Sequence, residues 1–368
     1  MTAHRLGVAA AMTHHGVVPG DVEVAHGAIT AVGCAPAGRT GLAVPGLIDL
    51  HVHGSAGVDF LTTDRAGYQR AGQALLATGV TAYHAAFVSA QPHVLDAALR
   101  ELGALPAGDG PRTLGAHLEG PFLAPERLGT HNPEHRRDPD AALLTRLLAA
   151  GPVAEMTLAP ELPGAVALIR LLTSRGVIAS VGHTDATAAQ ARAAFAAGAR
   201  SVTHLFNAMR PLHHREPGVA GVALTTDEVT LELIVDGHHL DPDIVRLVWR
   251  AAPGRVALVT DGTAAAGMPD GTYTMGDIEL TVLDGAVRNP AGALAGSALT
   301  MIAAVRNVHA LGIPLTDAVA AATRVPARLL GRDDIGVLRP GAAADVVILD
   351  DGLDVRETFV AGDRRHAT

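Results

Sequence analysis

The sequence predicts a (β/α)8 barrel joined to a small β-sandwich built from the two chain ends. Eight short apolar runs, rich in β-branched residues and bounded by glycine or proline, read as buried parallel strands. Alanine-rich segments of helical spacing separate them, and no second nucleotide-type unit breaks the alternation. The third observation is the texture of both ends, where short strand-like pieces replace helices. An open doubly wound sheet would give the same alternation and stands as the alternative.

Residues 1–46 alternate in short pieces with turns at Pro19-Gly20 and His26-Gly27. Such a stretch cannot bury a face alone, so it is expected to pair with 336–368, leaving 47–335 as the barrel. The eight strands are then LIDLHVHG (47–54), VTAYHAAFVS (80–89), TLGAHLEGPFL (113–123), AEMTLAPE (154–161), VIASVGHT (177–184), SVTHLFNAM (201–209), LELIVDGHHL (231–240) and RVALVTDGTA (255–264). Helices are expected over Arg65–Thr78, Pro92–Leu102, Ala141–Ala150, Gly164–Arg175 and Ala188–Ala197. After the eighth strand, 271–296 reads as a hairpin around Asp284-Gly285. Two amphipathic helices, over 298–311 and 315–330, close the barrel.

Composition excludes several functions. The chain has 368 residues, 48% hydrophobic and 18% charged, enough for one large barrel with an accessory piece. No apolar run approaches the roughly 18–20 residues of a membrane helix. The opening MTAHRLGVAAAM has too short an apolar run and too little positive charge for a secretion signal. A cytoplasmic protein without a membrane partner is expected. A net charge of −9 and 3% aromatics offer neither a basic stripe nor a stacking platform, so no nucleic-acid partner is expected. One cysteine, Cys34, excludes a disulfide framework and a cysteine zinc knuckle. All 28 basic residues are arginine. The absence of lysine removes Schiff-base chemistry, the P-loop lysine and a metal bridge through carbamylated lysine. Against that absence stand 19 histidines.

His51 and His53 lie two apart on the first strand, so both imidazoles share a face at its C-terminal end, the catalytic mouth of a barrel. A packed or surface pair would read the same way. The other strands decide: Glu119 closes the third, His183 the fifth, His204 the sixth and Asp261 the eighth. Imidazoles and carboxylates gathered at one rim suit a divalent first-row metal such as zinc or iron. Lacking lysine, the chain must recognise any phosphate through arginine or histidine.

The segments PGLIDLHVHG, HLEGPF, VGHT, THLFNAM and VTDGT together resemble the amidohydrolase superfamily. GTHNP (129–133), FNAM (206–209), REPG (215–218), DGHHLD (236–241) and LAGSALTM (294–301) are similar to its N-acetylglucosamine-6-phosphate deacetylase subgroup, as is GVLRPGAAADVVILD near the C-terminus. The resemblance implies hydrolysis of the N-acetyl amide of a phosphorylated amino sugar by one or two divalent metals per subunit, zinc favoured over iron. It also agrees with the missing lysine, because this subgroup uses a glutamate in that place. Glu119, His183 and His204 would hold the principal metal; His51 and His53, with Glu119 bridging, would complete a second. Asp261 would be the general base and acid, its plainer reading being a turn aspartate before Gly262. His131 would polarise the carbonyl, although a loop histidine is otherwise solvent-facing. Arg215 and His239 would contact phosphate across a homodimer interface, where Arg215 could equally be a surface ion-pair partner. Thr130, Asn207, Ala208, Leu294 and Ala295 would line the sugar-phosphate pocket.

The remaining histidines carry less. His117, two before Glu119, is placed behind the site, and His84 in the core. His14, His15 and His366 are read as surface residues, while His213, His214, His238 and Asp59 receive no role. Two rival functions stand: another amide or deaminase substrate on the same scaffold, and a metal-binding scaffold without catalysis.

Overall fold

The computed structural model describes residues 3–368 except 107 and 109. Eight parallel strands form one sheet in strictly sequential order: β1 (Leu47–Val52), β2 (Val80–Val88), β3 (Arg112–Glu119), β4 (Val153–Leu158), β5 (Ile178–Val181), β6 (Ser201–Val202), β7 (Thr230–Leu233) and β8 (Val256–Leu258). The sheet closes on itself just past the formal end of β8. There Asp261 N–H donates to His51 O at 2.8 Å, and His53 N–H donates to Gly262 O at 2.7 Å. Asp49 fastens this seam from inside, accepting from Thr260 Oγ1 at 2.6 Å and from Thr260 N at 3.2 Å. Burial pushes its carboxyl up to about 7. A closed barrel, not an open doubly wound sheet, is the fold.

Helices follow the strands as local chemistry requires. Asp64 caps α1 (Arg65–Ala77) through Gly67 N, and Asp140 caps α3 (Ala141–Ala150), which follows α2 (Pro92–Gly103). After α4 (Ala165–Ser174), Thr187 and Gln190 form a capping box on α5 (Ala188–Ala196). Two further helices, α6 (Gly218–Leu224) and α7 (Pro242–Ala251), complete the alternation. Arg255, at the foot of β8, spreads its guanidinium over the carbonyls of Ala223, Leu224, Thr226 and Val229 at 2.6–3.0 Å. These include the last orphan acceptors of α6. Arg255→Met is therefore expected to cost about 2–4 kcal/mol, read as a lower midpoint in urea at unchanged slope.

Two of the expected elements need correction. The segment 315–330 is two helices, α9 (Leu315–Ala321) and α10 (Arg324–Leu329), which follow α8 (Met301–Ala310). Pro326 has no N–H to give to Ala322 O, and that carbonyl accepts from Ile48 N at 2.8 Å instead. The segment 271–296 is more than a hairpin. Gly271–Met275, Ile278–Leu283 and Ala286–Arg288 form a three-stranded meander, with the expected turn at Asp284-Gly285 as its second. Asp284 and Gly285 both have positive φ, as a two-residue turn of this hand demands.

The chain ends meet in a six-stranded sheet that places Leu42–Pro45 beside Val346–Leu349. A three-stranded sheet of His4–Arg5, Asp21–Ala25 and Ala28–Cys34 lies against it. Val22, Val24 and Ile29 from one sheet and Ala43, Val346, Ile348 and Phe359 from the other share a core separate from the barrel's. His366 is half-buried rather than on the surface, because the last strand, Asp363–Ala367, pairs it with Thr358. Cys34 is a free thiol.

Candidate metal centre

Strand ends at one rim of the barrel deliver the side chains. Glu119 is the last residue of β3, and His51 and His53 straddle the end of β1. His183, His204 and Asp261 follow β5, β6 and β8 with φ of 48°, 30° and 48°. A non-glycine residue in this region costs on the order of 1 kcal/mol or more and persists only where the surroundings enforce it.

Two groups of donor atoms result. His183 Nε2 and His204 Nε2 each lie 3.0 Å from Glu119 Oε1 and 3.1 Å from each other. His53 Nε2 lies 3.1 Å from both His51 Nε2 and Asp261 Oδ1, with His51 Nε2 3.6 Å from Asp261 Oδ1. Glu119 joins the groups, its Oε2 being 3.4 Å from His53 Nε2. Two of the four rings turn Nδ1 away from the centres onto main-chain carbonyls. His183 Nδ1 donates to Arg127 O at 2.8 Å and His53 Nδ1 to Ala86 O at 3.2 Å. With Nδ1 so held, each Nε2 faces carboxylate oxygens at hydrogen-bond distance, an arrangement that needs a proton or a metal cation between the two. Each group offers two imidazoles and a carboxylate, and the residues fit a divalent first-row metal at each position.

The electrostatics agree. Burial opposes the charge on Glu119, yet His183, His51 and His131 hold it well below the usual carboxylate range. Burial likewise opposes protonation of His53, but the Asp261 and Glu119 carboxylates push it up to about 10. Asp261, in spite of burial, is held at about 2 by His51 and His53. Each perturbation reflects demand for positive charge at the centre.

A cavity of about 270 Å³ opens above both groups. His131 is buried on its wall rather than solvent-facing. Ser89 N–H donates to its Nδ1 at 3.1 Å, so the proton sits on Nε2, 3.1 Å from Glu119 Oε2. Thr130, Asn207, Ala208, Leu294 and His239 line the same cavity. Burial disfavours the charged form of His239, but Asp236 Oδ2, 2.7 Å from its Nδ1, raises its pKa. Ala295 is buried beside the lining, with its N–H committed to Val287 O. Arg215 is exposed, 2.9 Å from His214 Nε2, and does not line the cavity of its own chain. Asp59 pins the meander, accepting from Gly276 N at 2.6 Å.

Sequence reasoning missed two things. Ile234 and Met275 line the cavity but read as ordinary core residues. Beneath the centre the barrel interior is polar, not aliphatic. His117 Nδ1 donates to Leu50 O and its Nε2 accepts from Thr157 Oγ1 at 2.7 Å. His84 faces Glu155 at 3.3 Å, and His117, Glu155 and Glu232 bring donor atoms within 4.8 Å of one another.

Residues 42–365 match the model of the Amidohydrolase family. The chain belongs to this family. Amidohydrolase relatives resemble it over most of their length. N-acetylgalactosamine-6-phosphate deacetylase from Escherichia coli O157:H7 is 40% identical, over 93% of each chain. The human N-acetylglucosamine-6-phosphate deacetylase is 39% identical over 87% of this chain and 82% of its own. A crystal structure of a mutant N-acetyl-D-glucosamine-6-phosphate deacetylase from Mycobacterium smegmatis, in complex with N-acetyl-D-glucosamine-6-phosphate, superposes with a TM-score of 0.93. It is 37% identical and covers 99% of this chain and 100% of that one. The Thermotoga maritima deacetylase gives the same TM-score at 33% identity, over the whole of both chains.

Proposed function

We propose that this amidohydrolase hydrolyses the N-acetyl amide of N-acetylglucosamine 6-phosphate to glucosamine 6-phosphate and acetate. The observation that carries the proposal is that one cavity joins both lone-pair groups, Asp261 and the Nε2–H of His131. The substrate-bound relative supports the same reading. Zinc in the cytoplasm and a homodimer complete it, with 47–335 as the catalytic unit and 1–46 with 336–368 as its companion.

A divalent ion held by Glu119, His183 and His204 would lower the pKa of a water toward neutrality and polarise a carbonyl. The Asp261 carboxylate takes the water's proton and returns it to the departing amine, which leaves poorly without it. His131 donates its Nε2–H to the carbonyl oxygen as charge develops there. Thr130 and Asn207 orient the sugar. His239, whose protonated form Asp236 favours, meets the phosphate beside Arg215 of a second copy.

The test is acetate release from the 6-phosphate and from the neutral sugar. Turnover confined to the phosphorylated sugar is expected; equal turnover of both would overturn the assignment. The resemblance to the galactosamine enzyme favours a second substrate, the 4-epimer, and the kcat/KM ratio of the two sugar phosphates measures it. Sharing of Arg215 is tested by mixing. Arg215→Ala and Asp261→Asn, each poor alone, are expected to regain about a quarter of the parental activity when refolded together, because half of randomly paired dimers carry one intact site. No recovery with verified subunit exchange refutes the shared site.

A further inference from the structure

The metal position formed by His51, His53 and Asp261 depends on the back of the His51 ring. Its Nε2 faces lone pairs on His53, Glu119 and Asp261, so an ion there requires the ring proton on Nδ1. His53 and His183 rest Nδ1 on main-chain carbonyls, which no side-chain substitution removes. His51 does not. The acceptor facing its Nδ1 is Glu232 Oε2 in the middle of β7, 3.5 Å away at the outer edge of hydrogen-bond range. Both residues are fully buried, and neither atom has any hydrogen-bond partner in the structure, so each is left with only the other to face. Glu232 Oε1 accepts from Ser201 Oγ at 3.4 Å, and Glu155 stands beside the same carboxyl, where burial and this second carboxyl together push the pKa of Glu232 up. The ring cannot easily turn elsewhere, because His117 packs against it with centroids 4.4 Å apart and is itself held at both nitrogens.

We propose that Glu232 is the positioning residue of the second metal position: its Oε2 takes the Nδ1–H of His51 and so aims the Nε2 lone pair at the ion. The proposal rests on the two-metal form of the function above. A carboxylate behind a ligating imidazole fixes the tautomer and the ring plane, and its loss typically weakens metal binding about 10–100-fold. Glu232 has no contact with the cavity and is therefore not a catalytic residue.

The experiment titrates the metal-free protein with zinc alone, measuring stoichiometry and affinity by calorimetry, with circular dichroism to verify folding. The parent is expected to take up two equivalents. Glu232→Leu should keep the tight equivalent of Glu119, His183 and His204 and weaken the other about 10–100-fold. Glu232→Asp, one methylene shorter, withdraws the acceptor and should show the same selective loss, which keeps the test standing if the leucine variant does not fold. Glu232→Gln retains an oxygen acceptor and should recover most of the loss. Parental affinity for both ions in Leu and Asp variants overturns the proposal, as does equal weakening of both ions or a Gln variant as poor as Leu. A parent that binds a single equivalent overturns the two-metal reading, and the proposal with it, since His51 would have no ion to face.

Discussion

His204→Ala is expected to leave a folded protein that holds no tightly bound metal and releases no measurable acetate. The substitution removes one of three donors that meet within 3.1 Å, and the pair left behind cannot enclose an ion. Elemental analysis after dialysis and the hydrolysis assay read the two effects together. His183→Ala should match it, whereas His51→Ala should cost the second ion and leave measurable activity. Full metal content in His204→Ala would show the assigned ligands to be wrong.

Asp261→Asn is expected to lower kcat on the order of 10²–10⁴-fold, the range for a missing acid–base group, with little change in KM. Asparagine keeps the shape but accepts no proton. Because Asp261 Oδ1 stands 3.1 Å from His53 Nε2, metal content must be measured on the same sample. A variant holding parental metal and turning over within tenfold of the parent removes Asp261 from the mechanism.

The barrel and its rim were legible for physical reasons. Buried parallel strands must be apolar, so ligand-type residues at their ends stood out against Val, Ile and Leu. The left-handed φ of His183, His204 and Asp261 was not legible; the break before α10 was, because Pro326 inside the expected helix cannot donate to Ala322 O. Met275 and Ile234 stayed hidden because a cavity wall and a core use the same side chains. The polar interior did leave a signal. In AHLE and AEMT polar residues recur every second position inside otherwise apolar runs, which in a strand buried on both faces marks the inner side.

The seam between β1 and β8 carries a consequence for the birth of the molecule. It joins Asp49 to Thr260, 211 residues apart, and Asp261 follows directly. A chain emerging from the ribosome has displayed His51, His53, Glu119, His183 and His204 before Asp261 exists. Contacts of such long separation form only after many loops have been closed, so the barrel is a slow folder by topology. A polypeptide arrested between His204 and β8 has every imidazole of the centre but lacks Asp261. Maturation of the second metal position is thereby tied to the final act of closure, and an incomplete chain cannot become a partial enzyme.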